Sequence, residues 1–127
     1  MGNRMNLQEL VVWQECRNLR KLVSTISKEL PIEEKYRLID QSVRSSRSIT
    51  ANIAEGYGRF HFQENIQFCR QARGSLIETL DHMICALDEE FITENQFNSF
   101  NVLYEQCLRL LNGYIAYLKK AKEEDSK

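Results

Sequence analysis

Apolar side chains recur at steps of three and four residues through almost the whole chain, and that period fits helices and little else. In the first segment Val12, Cys16, Leu19, Val23, Ile26 and Leu30 form one stripe. Ile39, Val43, Ser46, Thr50, Ile53 and Tyr57 form a second, with a neighbouring row of small residues. Phe62, Ile66, Cys69, Leu76, Leu80, Met83 and Leu87 make the third, and Phe97, Phe100, Tyr104, Cys107, Leu111, Tyr114 and Leu118 the fourth. Only one Pro and five Gly interrupt 127 residues, too few for the turns of a sheet-rich domain of this length. The expected fold is therefore all-α: a single domain, residues 1–127, forming an antiparallel up-and-down four-helix bundle with helices at about 10–30, 35–57, 62–90 and 94–122 and a frayed tail beyond.

The boundaries follow from local chemistry. Pro31 closes the first helix, because its ring excludes the α conformation for the residue before it. Gly56 and Gly58 are expected to supply positive φ where the second helix ends. His61 falls near the N-cap of the third helix, and Thr93 with Gln96 three residues later forms a capping-box pattern at the start of the fourth. Gly74 inside the third helix weakens it by about 1 kcal/mol relative to Ala, which is expected to reflect close approach by another helix. Gly74 and Ser75 would then face the small residues Ser42, Ser45 and Ser46 of the second helix. Arg73 falls within an apolar stripe, where Glu78 or a carboxylate of the second helix is its expected partner. Trp13 either flanks the core or anchors a contact with another subunit.

The net charge of −1 with 28% charged residues gives no global basic field for nucleic acid or anionic lipid. No run approaches a membrane span, and Met1 to Asn6 carries neither the apolar core of a signal peptide nor the Ser or Thr that myristoylation requires at position 6, so a cytoplasmic protein is expected. Charge is nonetheless uneven: residues 35–73 hold seven basic and three acidic side chains, and 78–94 hold six acidic and none basic. In a bundle that distribution predicts one basic end and one acidic end. Arg37, Arg44 and Arg47 share an arc of the second helix away from its apolar stripe, together with Ala51 and Glu55, and Arg59 follows just past its end. Guanidinium groups suit bidentate pairing with phosphates or carboxylates, so this face is a solvated helix back, a subunit interface or a nucleic-acid contact. Phe60 and Phe62 beside Arg59 and His61 could stack bases, pack under a helix start or fit into a partner groove.

Chemistry is sparse. Cys16, Cys69, Cys85 and Cys107 form no C-x-x-C pair and are expected as reduced core cysteines of helical segments, three of them in or beside apolar stripes, with no zinc site. A di-iron bundle needs Glu-x-x-His on two helices, whereas Glu78 and His82 are four apart and stand alone. No phosphate loop or nucleophile elbow is present, since Gly56-Tyr57-Gly58 follows a helix and not a strand. These patterns predict no catalytic residue, no metal, no cofactor and no enzymatic activity.

The segment Asn52-Ile53-Ala54-Glu55-Gly56-Tyr57-Gly58-Arg59 resembles the signature of the four-helix-bundle 23S rRNA-intervening sequence proteins. Val12-Trp13-Gln14, Gln41 with Arg44, and Gly74-Ser75 with Glu78 match further motifs of that family in order, over about residues 9–120. The resemblance implies a bacterial, cytoplasmic, up-and-down bundle that forms a homopentameric ring. It also implies a relationship to the accessory proteins of diversity-generating retroelements, which bind RNA or DNA and a reverse transcriptase protein through a strongly basic surface. This chain lacks that overall charge. Where the family often has Ser, His61 stands.

Overall fold

The computed structural model describes residues 5–126; Met1 to Arg4, on which part of the leader and lipidation expectations rest, and Lys127 lie outside the described residues. Among the described residues four α-helices follow in order: α1 Val11–Ser27, α2 Asp40–Tyr57, α3 Phe62–Asp88 and α4 Glu94–Asp125. Each packs on its neighbour in sequence, and α4 returns to α1 to close the bundle. The α2–α3 pair is the most extensive of these contacts. The four apolar stripes converge on one core, in which Leu19, Ile49, Ile53, Leu76, Met83, Phe100 and Leu111 are fully buried.

Departures from the expected boundaries have local causes. A 3-10 turn, Leu7–Glu9, precedes α1, its first N–H groups met by a capping box between Asn6 and Glu9. Before α2 the chain passes through a 3-10 turn, Ile32–Glu34, and a π-helical turn, Lys35–Ile39, in which Arg37 leaves helical geometry at φ −122°, ψ −107°. The regular helix therefore begins at Asp40 and not at 35. At the other boundary Thr93 and Gln96 form both hydrogen bonds of the expected capping box, at 3.1 and 2.8 Å. The last helix continues to Asp125, three residues past its expected end near 122.

Chain reversal is managed without a left-handed glycine. Gly58 caps α2 in an ordinary right-handed conformation, φ −76°, and the positive φ falls two residues later on Phe60, at 63°. After α3, Glu90 takes φ 60° while its N–H bonds to the Leu87 carbonyl and the Phe91 N–H bonds to that of Ala86. That pair of bonds is a Schellman ending, with Glu where Gly is usual. The role of Gly56 is steric: a Cβ there would stand 2.7 Å from Asn65 Oδ1 and 2.9 Å from Phe68 Cβ, so its absence lets α3 approach α2.

Candidate interaction surface

Between α2 and α3 the small side chains form a ladder of hydroxyl contacts. Ser45 Oγ and Thr79 Oγ1 lie 2.8 Å apart across the pair, and Ser75 donates to Ser48 Oγ at 2.9 Å. Asn52 donates through Nδ2 to both the carbonyl and the hydroxyl of Ser48, at 2.9 and 3.0 Å. Thus Asn52 and Ser75 are structural: they satisfy one another's neighbours within a single chain. Ser45, Ser46 and Thr79 also donate to backbone carbonyls of their own helices, so these hydroxyls act as packing elements and not as activated nucleophiles. Gly74 behaves differently. Although Ser75 faces α2 as expected, a Cβ on Gly74 would meet nothing within 4 Å, and no helix of this chain approaches it.

The outer face of α2 carries the arginines. Arg44 and Arg47 are exposed with Ala51 between them and Glu55. Arg44 lies 3.6 Å from Asp40, with both side chains largely solvated at 78% and 47%, so the pair holds Arg44 only weakly. Arg37 is exposed but belongs to the π-helical turn, outside the regular face. Arg59 stands roughly 22 Å along the axis from Arg44 at 1.5 Å per residue. It is held by Glu55 at 2.9 Å and Glu64 at 3.3 Å, with its guanidinium 5.0 Å from the Phe68 ring centre. Four of the five predicted residues therefore fall into two groups, Arg44 with Arg47 and Glu55 with Arg59, the second closed by Glu64, and Arg37 stands apart.

Antiparallel pairing modifies the expected charge polarity at α2. Because Ser45 meets Thr79 and Ser48 meets Ser75, the arginines of α2 stand at the height of Glu78 and Asp81 on α3. Arg44 and Arg47 therefore stand at mid-height and not at a basic end, while Arg70 and Arg73 remain toward one end of α3 and Asp88 at the other. Arg73 also departs from expectation: it donates to Asn112 Oδ1 of α4 at 2.8 Å, and its partial exposure removes the need for a carboxylate.

A cavity of about 490 Å³ opens at the α2–α3 turn, lined by Tyr57, Phe60, Phe62, Asn65, Tyr114 and Tyr117 among others. Its polar contacts are internal, with the Tyr57 hydroxyl donating to the Met5 carbonyl and Asn65 donating to Tyr114 Oη at 3.2 Å. Sequence periodicity had no means of finding it. Tyr114 reads as a helix-stripe residue, and only the fold brings it, with Tyr117, to the aromatic turn.

His82 Nε2 lies 3.3 Å from Glu78 Oε2. Among the described residues no cluster of His, Cys, Asp and Glu is arranged to hold a metal ion. Cys16, Cys69 and Cys107 are buried, whereas Cys85 is exposed and so departs from the core role. The Cys107 hydrogen bond and burial push the Cys16 thiol far up, and burial raises Cys69 to about 12. Neither is a thiolate at neutral pH. Trp13 packs half-buried against the core with Arg17 over its ring at 5.8 Å, which favours the flanking role. No helix of the described residues is long and apolar enough to cross a membrane.

The family model described as 23S rRNA-intervening sequence protein matches residues 8–113, spanning α1, the α2–α3 ladder and most of α4. The chain belongs to that family. Its fold is also similar to the crystal structure, at 1.70 Å resolution, of a protein of unknown function from the S23 ribosomal protein family of Bacteroides thetaiotaomicron, with 26% identity and a TM-score of 0.77. That likeness covers 84% of this chain and 96% of the other. No curated protein matches the sequence. Membership in the 23S rRNA-intervening sequence family thus comes with a shared bundle and without an assigned molecular activity.

Proposed function

We propose that this chain is a non-enzymatic, self-associating bundle of the bacterial cytoplasm, a homopentameric ring that serves as an assembly or ribonucleoprotein-associated module. The observation that carries the proposal is apolar surface left over after the core is closed: Ile77 is 50% exposed, Val102 69% and Tyr117 63%. Ile77 is joined by Ile84, two turns on along the same side of α3 and 39% exposed, and large apolar side chains repeated on one flank of a folded bundle are characteristic of surfaces that meet another protein. The hydroxyls of Ser45, Ser46, Ser48, Ser75 and Thr79 being occupied by packing contacts supports a role without catalysis. Light scattering at micromolar concentration tests the proposal, with a mass five times that of the chain expected and a monomer mass sinking it.

A second reading, binding of RNA or DNA, alone or with a reverse transcriptase, draws on Phe60, which is 72% exposed between Arg59 and His61. Exposed aromatic side chains beside cations can stack bases. The internal ion pairs of Arg59 and the net charge of −1 weigh against high affinity. Titration of a structured RNA against salt decides it, and absence of binding at low salt ends this reading.

A further inference from the structure

Along the outer side of α3, Gly74, Ile77, Asp81, Ile84 and Asp88 repeat at steps of three and four in a second stripe that the core does not use. Ile77 and Ile84 are 50% and 39% exposed, and Gly74 has open space where a Cβ would be. Arg73, one turn before Ile77, reaches Asn112, so the isoleucines lie at the edge of α3 that adjoins α4. No Lys or Arg occurs between Arg73 and Arg109, a stretch that supplies seven carboxylates. This edge is apolar with an acidic border.

The outer side of α2 carries two arginines at its centre, with Asp40 one turn before them and Glu55, held by Arg59, one turn beyond Ala51. Arg44 and Arg47 are exposed beside the small Ala51, and their one ion pair with Asp40 is solvated. Long guanidinium side chains flanking a low alanine surface match protruding isoleucines flanked by carboxylates, in both shape and sign.

We propose that a second copy of this chain seats its α2 face, Arg44, Arg47 and Ala51, on the α3 edge formed by Ile77, Asp81, Ile84 and Asp88. The two faces are different surfaces of one bundle, so the contact is heterologous and each copy offers one of each kind. Ile77 and Ile84 lose their exposure over Ala51, Arg44 and Arg47 pair with Asp81 and Asp88, and Gly74 admits the neighbouring backbone. The assignment rests on the self-association proposed above and specifies its interface.

Light scattering on the full chain and on charge-reversed variants tests it. Arg44→Glu with Arg47→Glu, and separately Asp81→Arg with Asp88→Arg, are each expected to fall to the monomer mass, with helical circular dichroism unchanged because all four sites are exposed. Mixing the two variants restores a complementary contact, so assembly returns. If the native chain assembles and both variants keep its mass, this interface is wrong while self-association stands. A monomeric native chain overturns both. If Arg44→Glu with Arg47→Glu abolishes RNA binding but leaves the mass unchanged, the α2 face belongs to nucleic acid and the interface is overturned.

Discussion

The two sides of α3 obey different rules over the same residues. Toward α2, where Gly56, Ser45, Ser48, Ser75 and Thr79 meet, the absence of one Cβ and a ladder of hydroxyl contacts set the separation of two helices. Away from it, Gly74 and Ile77 meet no such constraint: the glycine borders open space and the isoleucine is half exposed. Glycine inside a helix is thus explained by packing within the chain at Gly56, and is not so explained at Gly74.

Substitutions on the two sides should separate by size. Leu76 is fully buried and Ile77 half exposed. Leu76→Ala is expected to cost about 2–5 kcal/mol in urea unfolding, and Ile77→Ala under about 1 kcal/mol, by transfer and cavity terms. Equal effects would break the distinction. Titration offers a second contrast on the same helix. Cys69 is raised by burial from 9.0 to about 12. The unfolded chain then loses that proton near 9 while the native chain keeps it, so this contribution is intact below pH 9 and is lost progressively toward pH 12. Fully expressed, that amounts to a few kcal/mol at 1.36 kcal/mol per pH unit. Thermal unfolding of the native chain and Cys69→Ala should converge on the alkaline side, and native-state alkylation should label Cys85 first.

Gly56→Ala comes next, at about 1–3 kcal/mol of destabilisation, since its methyl would press on Asn65 and on the Cβ of Phe68. Ser45→Ala should cost about 1 kcal/mol, because Thr79 keeps its bond to the Ser75 carbonyl when its partner is removed. The smallest effect is of opposite sign: Gly74→Ala should stabilise the isolated fold by up to about 1 kcal/mol, because helix propensity improves and no atom is displaced. A loss of stability in a monomeric sample would remove the contrast.

Periodicity was enough for the helices because their stripes reflect burial, which depends mainly on where apolar side chains fall around 3.6 residues. The same logic located the Thr93–Gln96 cap, whose chemistry is local. It failed where a boundary depends on backbone choices that several residue types can make. Phe60 took the left-handed conformation expected of Gly56 and Gly58, Glu90 adopted another where none was expected, and Arg37 broke helix geometry without a proline. Among the site residues, Asn52 and Ser75 were recognisable as a motif, yet their shared partner Ser48 became evident only when the helices were set side by side.

The sequence by itself determined that this chain is an all-helical bundle and that Arg44 and Arg47 share a face, since both follow from spacing along one helix. It also held the signature that places the chain in the 23S rRNA-intervening sequence family. Tertiary structure alone decided which charges are neighbours: antiparallel packing set the α2 arginines level with the acidic half of α3, enclosed Arg59 between Glu55 and Glu64, and left Ile77 and Ile84 outside the core. The reason is geometric. A helix fixes the direction of each side chain relative to its own axis, but the partner it meets depends on the register and rotation of a second helix distant in the chain.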